Sequence, residues 1–406
     1  MSNTQTKNVP ELRFPGFEGE WEEKKLGEFC EFNNGINAKK EQYGMGRKFI
    51  NVLDILNNNF ITYESVIGKV SVPENVEKNN KVEFGDLVFL RSSETREDVG
   101  LCNVYLDKNY ALYGGFIIRG KKVSDYNPIF LKEVLNIPKK RYEIGSAAGG
   151  STRFNVSQDI LRKINVKFPS IKEQQKIGDL FSKLDRQIEL EEQKLELLQQ
   201  KKKGYMQKIF SQELRFKDEN GDDYPNWVIK LLGDIGKVAM NKRIYKHETS
   251  TNEEIPFYKI GNFGKKADTF ISREQFNEYK EKYPYPKKGD ILISASGSIG
   301  KTIEYNGEEA YYQDSNIVWL DHNEEVLNVF LKYFYILVKW SGIEGTTIKR
   351  LYNKNILNTK IDLPTISEQQ KIGDFFAIID NLIEIQERKL EFLKQRKQSL
   401  LQKMFV

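Results

Sequence analysis

The chain has 406 residues, 39% of them hydrophobic, and a formal net charge of +5, so it is long enough for two or more domains with buried cores. No run of about 18 apolar residues occurs, and the first residues lack a basic stretch followed by an apolar one, so we expect neither a membrane span nor a secretion signal. Two cysteines fit a reducing cytoplasm, and the presence of only two histidines argues against a histidine metal site or a Ser-His-Asp triad.

Residues 1–167 predict a globular domain of mixed strands and helices. Short apolar runs bounded by Gly, Asn or Asp, such as GDLVFL at 85–90 and GGFIIRG at 114–120, are typical of strands. Helical pieces such as PIFLKEVLN at 128–136 intervene between them. The segment is therefore expected to fold as one α/β globule.

Residues 168–210 predict a single long helix. Apolar residues recur there in steps of four and three, which is the spacing of a coiled-coil seam. The expected seam of this helix consists of Ile177, Phe181, Leu184, Ile188, Leu195 and Leu198. Glu191 and Lys202 interrupt it, and a polar seam residue lowers stability but can fix the register of the two helices.

Residues 211–362 predict a second globule that is a diverged relative of the first. Trp21 is followed by Leu26 and Gly27, and Trp227 by Leu232 and Gly233, at the same spacing. GDLVFL is matched by GDILIS at 289–294, whereas the loops between such runs have little in common. A shared scaffold with different loops is typical of two binding modules with different targets.

Residues 363–406 repeat the long helix at an offset of 363 − 168 = 195 without a gap, and EQQKIGD occurs at both 173–179 and 368–374. Roughly half of the aligned positions are identical, so this is an internal repeat. We expect Ser367 to cap the second helix. Its seam consists of Ile372, Phe376, Ile379, Ile383, Leu390 and Leu393, with Gln386 and Lys397 as polar interruptions.

Each seam needs a partner, and the best-matched partner in the chain is the other copy. Two separate surface helices, one on each globule, are the simpler alternative. If the copies pair, a helix of this length forms a rod of about 60 Å, because each residue adds 1.5 Å. Such a rod would act as a spacer.

Candidate catalytic motifs are weak. ASGSIGKT at 295–302 meets a loose phosphate-loop pattern and follows a strand, but the next residues predict a strand rather than the helix that must face a phosphate. NPIF at 127–130 lacks the second proline of the Asn-Pro-Pro-aromatic element of amino-methyltransferases, and no glycine-rich cofactor loop accompanies it. We therefore predict no catalytic residues and no metal site.

Taken together, these elements resemble the specificity (S) subunit of type I restriction–modification systems. The resemblance rests on PELRFPGFEGEW and the following LGEF, on the paired strands GDLVFL and GDILIS, and on the two EQQKIGD helices. It covers essentially the whole chain, and the duplication of the motifs in this order makes it specific.

The resemblance implies an α+β fold with pseudo-two-fold symmetry. Residues 1–167 and 211–362 would be target recognition domains, separated by two long helices, 168–210 and 363–406, that pack as an antiparallel coiled coil. Each domain would read one half of a bipartite, asymmetric target in double-stranded DNA, and the helical pair would set the spacer.

The resemblance also implies the partners. Two modification subunits would methylate adenine N6 with S-adenosylmethionine, and restriction subunits would use ATP and Mg²⁺. This chain would be a non-catalytic, cytoplasmic subunit without a cofactor of its own and without membrane contact.

Base edges and phosphates are read by basic and small polar side chains on loops, which the divergent loops of both globules supply. For any one of these side chains, an ordinary solvated surface charge is the alternative. The candidates in the first globule are Lys39, Lys40, Arg47, Arg91, Ser92, Arg96 and Arg153. Those in the second are Lys242, Arg243, Lys246, Ser296, Lys301, Lys349 and Arg350.

Two other functions stay open at this point. A stand-alone DNA methyltransferase would need the cofactor loop and the Asn-Pro-Pro-aromatic element that the sequence lacks. A coiled-coil scaffold without DNA contact would need the helical repeat but no recognition loops.

Overall fold

The computed structural model describes residues 8–342 and 349–406, so 343–348 of the predicted second globule lie outside the described residues. The chain divides into two compact units. Unit 1 comprises the chain up to Gln193 together with Glu387–Val406, and unit 2 comprises Lys194–Gln386. Each long helix is thus shared between the units. The boundaries of the four predicted domains remain predictions.

Unit 1 is a mixed α/β globule. Its strands are β1 (Glu22–Lys25), β2 (Cys30–Asn34), β3 (Tyr43–Ile50), β4 (Lys69–Val70), β5 (Leu87–Leu90), β6 (Ser92–Ser93), β7 (Cys102–Val104), β8 (Leu112–Tyr113), β9 (Ile117–Lys122), β10 (Phe154–Asn155) and β11 (Asn165–Phe168). Its helices are α1 (Val52–Asn57), α2 (Glu74–Asn79), α3 (Pro128–Asn136), α4 (Pro138–Ala147), α5 (Gln158–Lys163) and the first part of α6 (Ile171–Phe210).

A four-stranded antiparallel sheet in the order β2-β9-β5-β7 forms the centre of unit 1. All residues of β5 are buried because both faces of the sheet are covered. Leu87 and Phe89 pack with Phe130 of α3 on one face, and Val88 packs with Tyr113 on the other. This double burial explains the uninterrupted apolar run GDLVFL. Smaller sheets, β4-β3-β8, β1-β11 and β10-β6, complete the unit.

Unit 2 repeats this plan. Its strands are β12 (Val228–Leu231), β13 (Gly236–Ala239), β14 (Ile255–Tyr258), β15 (Phe270–Ile271), β16 (Ile291–Ser294), β17 (Thr302–Glu304), β18 (Tyr311–Tyr312), β19 (Ile317–His322) and β20 (Lys360–Leu363). Its helices are α7 (Leu232–Ile235), α8 (Arg273–Lys282), α9 (Asn328–Leu337), α10 (Asn353–Leu357), the second part of α6 and the first part of α11 (Ile366–Met404), whose last part belongs to unit 1. The sheets β13-β19-β16-β17, β15-β14-β18 and β12-β20 have counterparts in unit 1. The prediction of two related mixed α/β globules is confirmed.

The two long helices have 40 residues (α6) and 39 residues (α11). Each begins one residue after a hydroxyl side chain whose oxygen lies 3.4 Å from a backbone nitrogen of the first turn: Ser170 with Glu173, and Thr365 with Glu368. The prediction of Ser367 as the cap is wrong, because the helix starts one residue before Ser367.

The helices pair antiparallel within each unit. In unit 1, Phe181 stacks on Phe405 with ring centroids 5.7 Å apart, and Lys397 Nζ lies 2.6 Å from Asp185. Further along in the same unit, Lys389 forms an ion pair with Glu191. Residue numbers therefore rise along α6 as they fall along α11, and the predicted antiparallel coiled coil is confirmed. In unit 2, ion pairing of Lys202 with Asp380 and the contact of Tyr205 with Phe375 follow the same direction.

Burial divides the twelve residues of the predicted seam into two groups. The eight buried ones are Ile177, Phe181, Leu184, Ile188, Ile372, Phe376, Leu390 and Leu393. The four half-buried ones are Leu195, Leu198, Ile379 and Ile383. Of the polar interruptions, Lys202, Lys397 and Glu191 form the ion pairs described above, and Gln386 is buried. The charged interruptions therefore fall where a partner of opposite charge faces them.

A repeated ion pair fixes the chain to the start of each long helix. Arg13 donates two hydrogen bonds of 2.8 Å to the buried carboxylate of Glu173. Arg215 does the same to Glu368, at 3.1 and 2.7 Å, and Trp227 Nε1 adds a third bond of 3.0 Å. These contacts explain why each repeated LRF segment contains an arginine. Within residues 8–342 and 349–406, no helix has the length and apolar character needed to cross a membrane.

Candidate nucleic-acid interface

The candidate site of unit 1 lies where strand β5 ends. A tight turn connects β8 to β9, and the N–H of Ile117 donates to the carbonyl of Gly114 at 2.9 Å. Arg91, the residue after β5, donates its N–H to the carbonyl of Phe116 at 2.8 Å and accepts from the N–H of Val156 at 3.0 Å. We call this arrangement of strand end, turn and following segment the turn frame.

Three of the residues predicted from the sequence meet at the turn frame of unit 1. Arg91 Nη1 donates to the carbonyl oxygen of Gly115 at 3.2 Å. The guanidinium of Arg153 lies 5.9 Å from the ring centroid of Phe116. Ser92 pairs with Asn155 in the short ladder of β6 and β10. Two cations therefore lie near one exposed aromatic ring, and the Ser92 strand pairs beside the same turn.

Glycines allow a second loop to approach the turn closely. The N–H of Gly115 donates to the carbonyl of Ile36 at 2.9 Å. A Cβ on Gly115 would lie 1.9 Å from Oδ1 of Asn37, and one on Gly35 would lie 2.2 Å from the carbonyl oxygen of Gly114. At Gly35 the clash is with backbone, so no other residue type fits there, whereas at Gly115 the side chain of Asn37 would have to move. The glycines therefore hold the turn in one place.

A cavity of about 340 Å³ opens beside the turn. Its lining includes the amide side chains Asn37 and Asn51 and the exposed apolar side chains Tyr43, Leu53 and Phe116. This mixture of aromatic, aliphatic and amide groups at an exposed position is suited to contact with a flat polar molecule such as a base.

Unit 2 builds the same turn frame from different residues. Ala295, the residue after β16, donates its N–H to the carbonyl of Asn316 at 2.7 Å and accepts from the N–H of Leu351 at 2.8 Å. The hydrogen bonds thus make Ala295 equivalent to Arg91 and Asn316 equivalent to Phe116. The isolated pairing of Ser296 with Arg350 replaces the ladder of β6 and β10.

Polar side chains surround the turn frame of unit 2. Arg350 Nη2 donates to the hydroxyl of Ser315 at 2.9 Å and to Oδ1 of Asn316 at 3.2 Å. Ser296 donates to the same Oδ1 at 2.8 Å, and Arg243 Nε donates to a carboxylate oxygen of Asp314 at 2.8 Å. These contacts hold Ser315 in the left-handed conformation, with φ of 53°. Three predicted residues, Arg243, Ser296 and Arg350, therefore meet at one turn.

Comparison with protein families identifies both units. A family model described as the type I restriction modification DNA specificity domain matches residues 18–200 and again residues 224–395. The chain belongs to this family. It is a specificity subunit of a type I restriction–modification system with two tandem recognition domains.

Similar proteins carry related descriptions. The putative type I restriction enzyme specificity subunit S.HindORF215P of Haemophilus influenzae is 55% identical over 165 residues, which cover 40% of this chain and 43% of that protein. The putative type I restriction enzyme MjaX specificity subunit of Methanocaldococcus jannaschii is 23% identical and aligns with 99% of this chain and 94% of its own length. The crystal structure of the S subunit of a type I restriction–modification system from M. genitalium has a TM-score of 0.62 at 17% identity and covers 98% of this chain and 99% of that one, which supports the fold.

The other candidates of the first recognition domain lie apart from the turn frame. Lys39 and Lys40 are exposed at a 3₁₀ turn, Lys40–Gln42. The guanidinium of Arg47 lies 4.6 Å from the ring centroid of Tyr110 and 3.2 Å from the carboxylate of Glu77. Hydrogen bonding from Tyr110 and attraction to Arg47 lower the pKa of Glu77. Arg47 is thus an exposed cation held in place by an aromatic ring and an acid.

Arg96 of the same domain lies closer to the frame. Its guanidinium is 4.5 Å from the ring centroid of Phe154, which belongs to β10, and Nη1 donates to the carbonyl of Gly145 at 3.2 Å. Arg96 is therefore an exposed cation in contact with β10, the strand that pairs with Ser92 and Ser93.

Four candidates of the second domain are dispersed. Lys242 lies 5.1 Å from the ring centroid of Tyr283, and Lys246 is exposed at the start of a 3₁₀ turn. Lys301 Nζ donates to the carbonyl of Phe263 at 2.7 Å, and Lys349 is exposed next to Arg350. Ser296 is 6% exposed, and its hydroxyl donates to the amide oxygen of Asn316. All fourteen assignments as DNA contacts stay predictions.

The sequence prediction did not include Phe116, because aromatic side chains were not considered, and it did not include Asn316, although amide side chains were among the residue types expected to read bases. A signal for them exists in the alignment of the two globules, in which GGFIIRG and DSNIVWL each lead into a buried strand. The position just before that strand differs completely in chemistry between the two domains.

The motif ASGSIGKT, residues 295–302, includes Ser296. Strand β17 begins at Thr302, directly after Lys301, so a strand follows the motif, as expected. In the part of the chain that the structure describes, no group of three or more His, Cys, Asp or Glu side chains is placed to hold a metal ion.

Proposed function

We propose that this specificity subunit reads a bipartite, asymmetric target in double-stranded DNA, with one half-site read by each recognition domain. In this proposal the helical pair of α6 and α11 sets the spacer between the half-sites. It also docks the modification and restriction subunits.

The observation that carries the proposal is the shared turn frame with different side chains. Arg91, Arg153 and Phe116 occupy it in unit 1, and Arg243, Arg350 and Asn316 occupy it in unit 2. Arginine recognises phosphates and guanine, whereas the neighbouring side chains can distinguish other base edges. A constant backbone with different contact groups is what two unlike half-sites require.

We assign the chemistry to partner subunits. Two modification subunits would supply adenine-N6 methylation with S-adenosylmethionine, and restriction subunits would supply ATP- and Mg²⁺-dependent cleavage. This chain would bind no cofactor itself. An apolar stripe on α11 outside the seam supports docking: Ile378, Leu382 and Ile385 are 62%, 46% and 49% exposed. Their spacing of four and three residues suits a helical partner.

The primary experiment is a comparison of genomic methylation with and without this chain. The chain is co-expressed with its modification subunits in a host that lacks other adenine methylation, and the methylated motif is read by single-molecule sequencing. We expect a split, asymmetric motif that disappears when the gene for this chain is deleted. A motif that persists without the chain would contradict the proposal.

Two further assays separate the alternative functions. Incubation of the purified chain alone with DNA and labelled S-adenosylmethionine tests for a stand-alone methyltransferase, and methyl transfer would contradict our assignment. Mobility-shift assays of the chain with its modification subunit test for a scaffold. Absence of sequence-selective binding at moderate salt would favour that alternative.

The spacer is tested by lengthening the helices. Four residues inserted before Leu195 are expected to lengthen the preferred gap or abolish binding, because the seam loses its phase. Seven residues inserted before Leu195 and another seven before Gln386 preserve the phase and add about 10 Å. We expect this paired variant to prefer a gap longer by about three base pairs. An unchanged gap would contradict the role of the helices as a spacer.

A further inference from the structure

Phe116 is an apolar side chain at a position that the rest of unit 1 holds rigid. It is 58% exposed, although large aromatic side chains are usually buried. Its carbonyl accepts the N–H of Arg91, and the turn is closed by the bond between Ile117 and Gly114. The glycine contacts with the Asn37 loop fix it further. The exposed ring is therefore presented to solvent on a stiff support.

The surroundings of Phe116 favour DNA as its partner. Two cations lie close to the ring: Arg91 donates to the carbonyl of the preceding residue, Gly115, and the guanidinium of Arg153 lies 5.9 Å from the ring centroid. Tyr43 and Leu53, which are 47% and 66% exposed, line the cavity beside it. These cations can contact phosphates while the ring faces the adjacent groove.

The major groove offers one apolar group, the 5-methyl group of thymine. Resting on the proposed function, we propose that Phe116 is a specificity-determining residue that contacts the 5-methyl group of a thymine in the half-site read by unit 1. The neighbouring apolar side chains of Tyr43 and Leu53 complete the contact surface for this methyl group.

The equivalent position in unit 2 has the opposite chemistry. Asn316 takes the place of Phe116 in the hydrogen bonds of the turn frame. Its Oδ1 is already held by Ser296 and Arg350, so the amide is oriented and its nitrogen can donate to a base. The same backbone position therefore reads an apolar group in one half-site and a hydrogen-bonding group in the other. This difference contributes to the asymmetry of the target.

The test removes the methyl group from the DNA and the ring from the protein. The complex of the chain with its modification subunits is titrated with duplexes that carry its methylated motif, and each thymine of both half-sites is replaced in turn by uracil. The proteins are the wild type and the variants Phe116→Ala and Phe116→Leu. Phe84→Ala is the matched control, because Phe84 is 60% exposed and precedes the opposite end of β5.

We expect one uracil substitution in one half-site to weaken binding by the wild type about fourfold, as burial of a single methyl group predicts. Phe116→Ala should bind the thymine duplex about fourfold more weakly or worse and should not distinguish uracil from thymine at that position. Phe116→Leu should retain part of the discrimination, and Phe84→Ala should match the wild type. Thermal unfolding should confirm that all variants are folded.

Two results would overturn the inference while leaving the proposed function intact. One is selective binding in which no uracil substitution weakens the wild type. The other is a Phe116→Ala complex that still loses affinity with uracil at the same position as the wild type. Failure of the wild-type complex to select any motif would instead reject the proposed function and the inference with it.

Discussion

Replacement of Lys397 by Met should destabilise unit 1 severely, because Lys397 is one of two cations in a buried cluster of four charges. Its Nζ lies 2.6 Å from Asp185 and 3.6 Å from Glu133, and Lys132 contacts both carboxylates. The side chains of Asp185 and Glu133 are only 6% and 3% exposed. The variant leaves two buried carboxylates with one cation, and removal of one partner from such a cluster costs about 3–5 kcal/mol.

The matched control is Lys202→Met in unit 2, the equivalent substitution by sequence repeat. Lys202 pairs with one carboxylate, Asp380, whose side chain is 31% exposed and also accepts a hydrogen bond of 2.9 Å from the hydroxyl of Tyr333. Water and Tyr333 can compensate for the lost cation, so we expect a loss of about 1 kcal/mol. In calorimetry, the transition of unit 1 should fall by roughly 10 °C in the first variant and that of unit 2 by a few degrees in the second.

The pH dependence gives an independent check. Burial alone raises the pKa of Glu133, but attraction to Lys132 and Lys397 outweighs burial, so the pKa is lowered. The ionised Glu133 therefore stabilises the folded state above the ordinary glutamate pKa, and this contribution is lost as the pH falls through the lowered value. Burial keeps the pKa of Asp185 raised, which opposes this trend. Without Lys397 the pKa values of Glu133 and Asp185 both rise, so protonation removes the unpaired buried charge. The loss of unfolding free energy in Lys397→Met should therefore shrink between pH 7 and pH 5. A deficit that is equal in the two variants, or independent of pH, would refute the reasoning.

Three further substitutions test other contacts. Trp227→Phe should lower the unfolding free energy by about 2 kcal/mol more than Trp21→Phe does. The indole N–H of Trp227 donates to a buried carboxylate, whereas the indole N–H of Trp21 has no partner among residues 8–342 and 349–406. Equal losses in the two variants would contradict this reasoning. Gly35→Ala should weaken DNA binding at least tenfold, since its Cβ would meet the backbone carbonyl oxygen of Gly114 at 2.2 Å, whereas Gly149→Ala, with nothing within 4 Å, should bind normally in the same titration. Lys39→Ala should weaken binding to all sequences alike and reduce the salt dependence by about one ion, and a changed motif would count against a phosphate contact.

The candidate site was only partly predictable. Basic residues on divergent loops indicated Arg91, Arg153, Arg243 and Arg350, and the fold brings them to two equivalent turns. Phe116 and Asn316 could not be recognised in the same way, because residue type alone does not tell whether an aromatic or amide side chain is buried or exposed. Their exposure depends on hydrogen bonds between segments that are far apart in the sequence.

The sequence by itself determined the duplicated architecture. Local periodicity predicted the two long helices and their seams, because spacings of three and four residues follow directly from helix geometry. Buried apolar runs such as GDLVFL predicted the central strands for a similar reason.

Only the tertiary structure decided which side chains pair across the seam and which residues share a turn. Lys397 meets Asp185 and Glu133, and Arg91 meets Phe116, through contacts between elements that the chain brings together from distant positions. Such pairings depend on register and direction in three dimensions, and a one-dimensional pattern of residue types does not encode these uniquely.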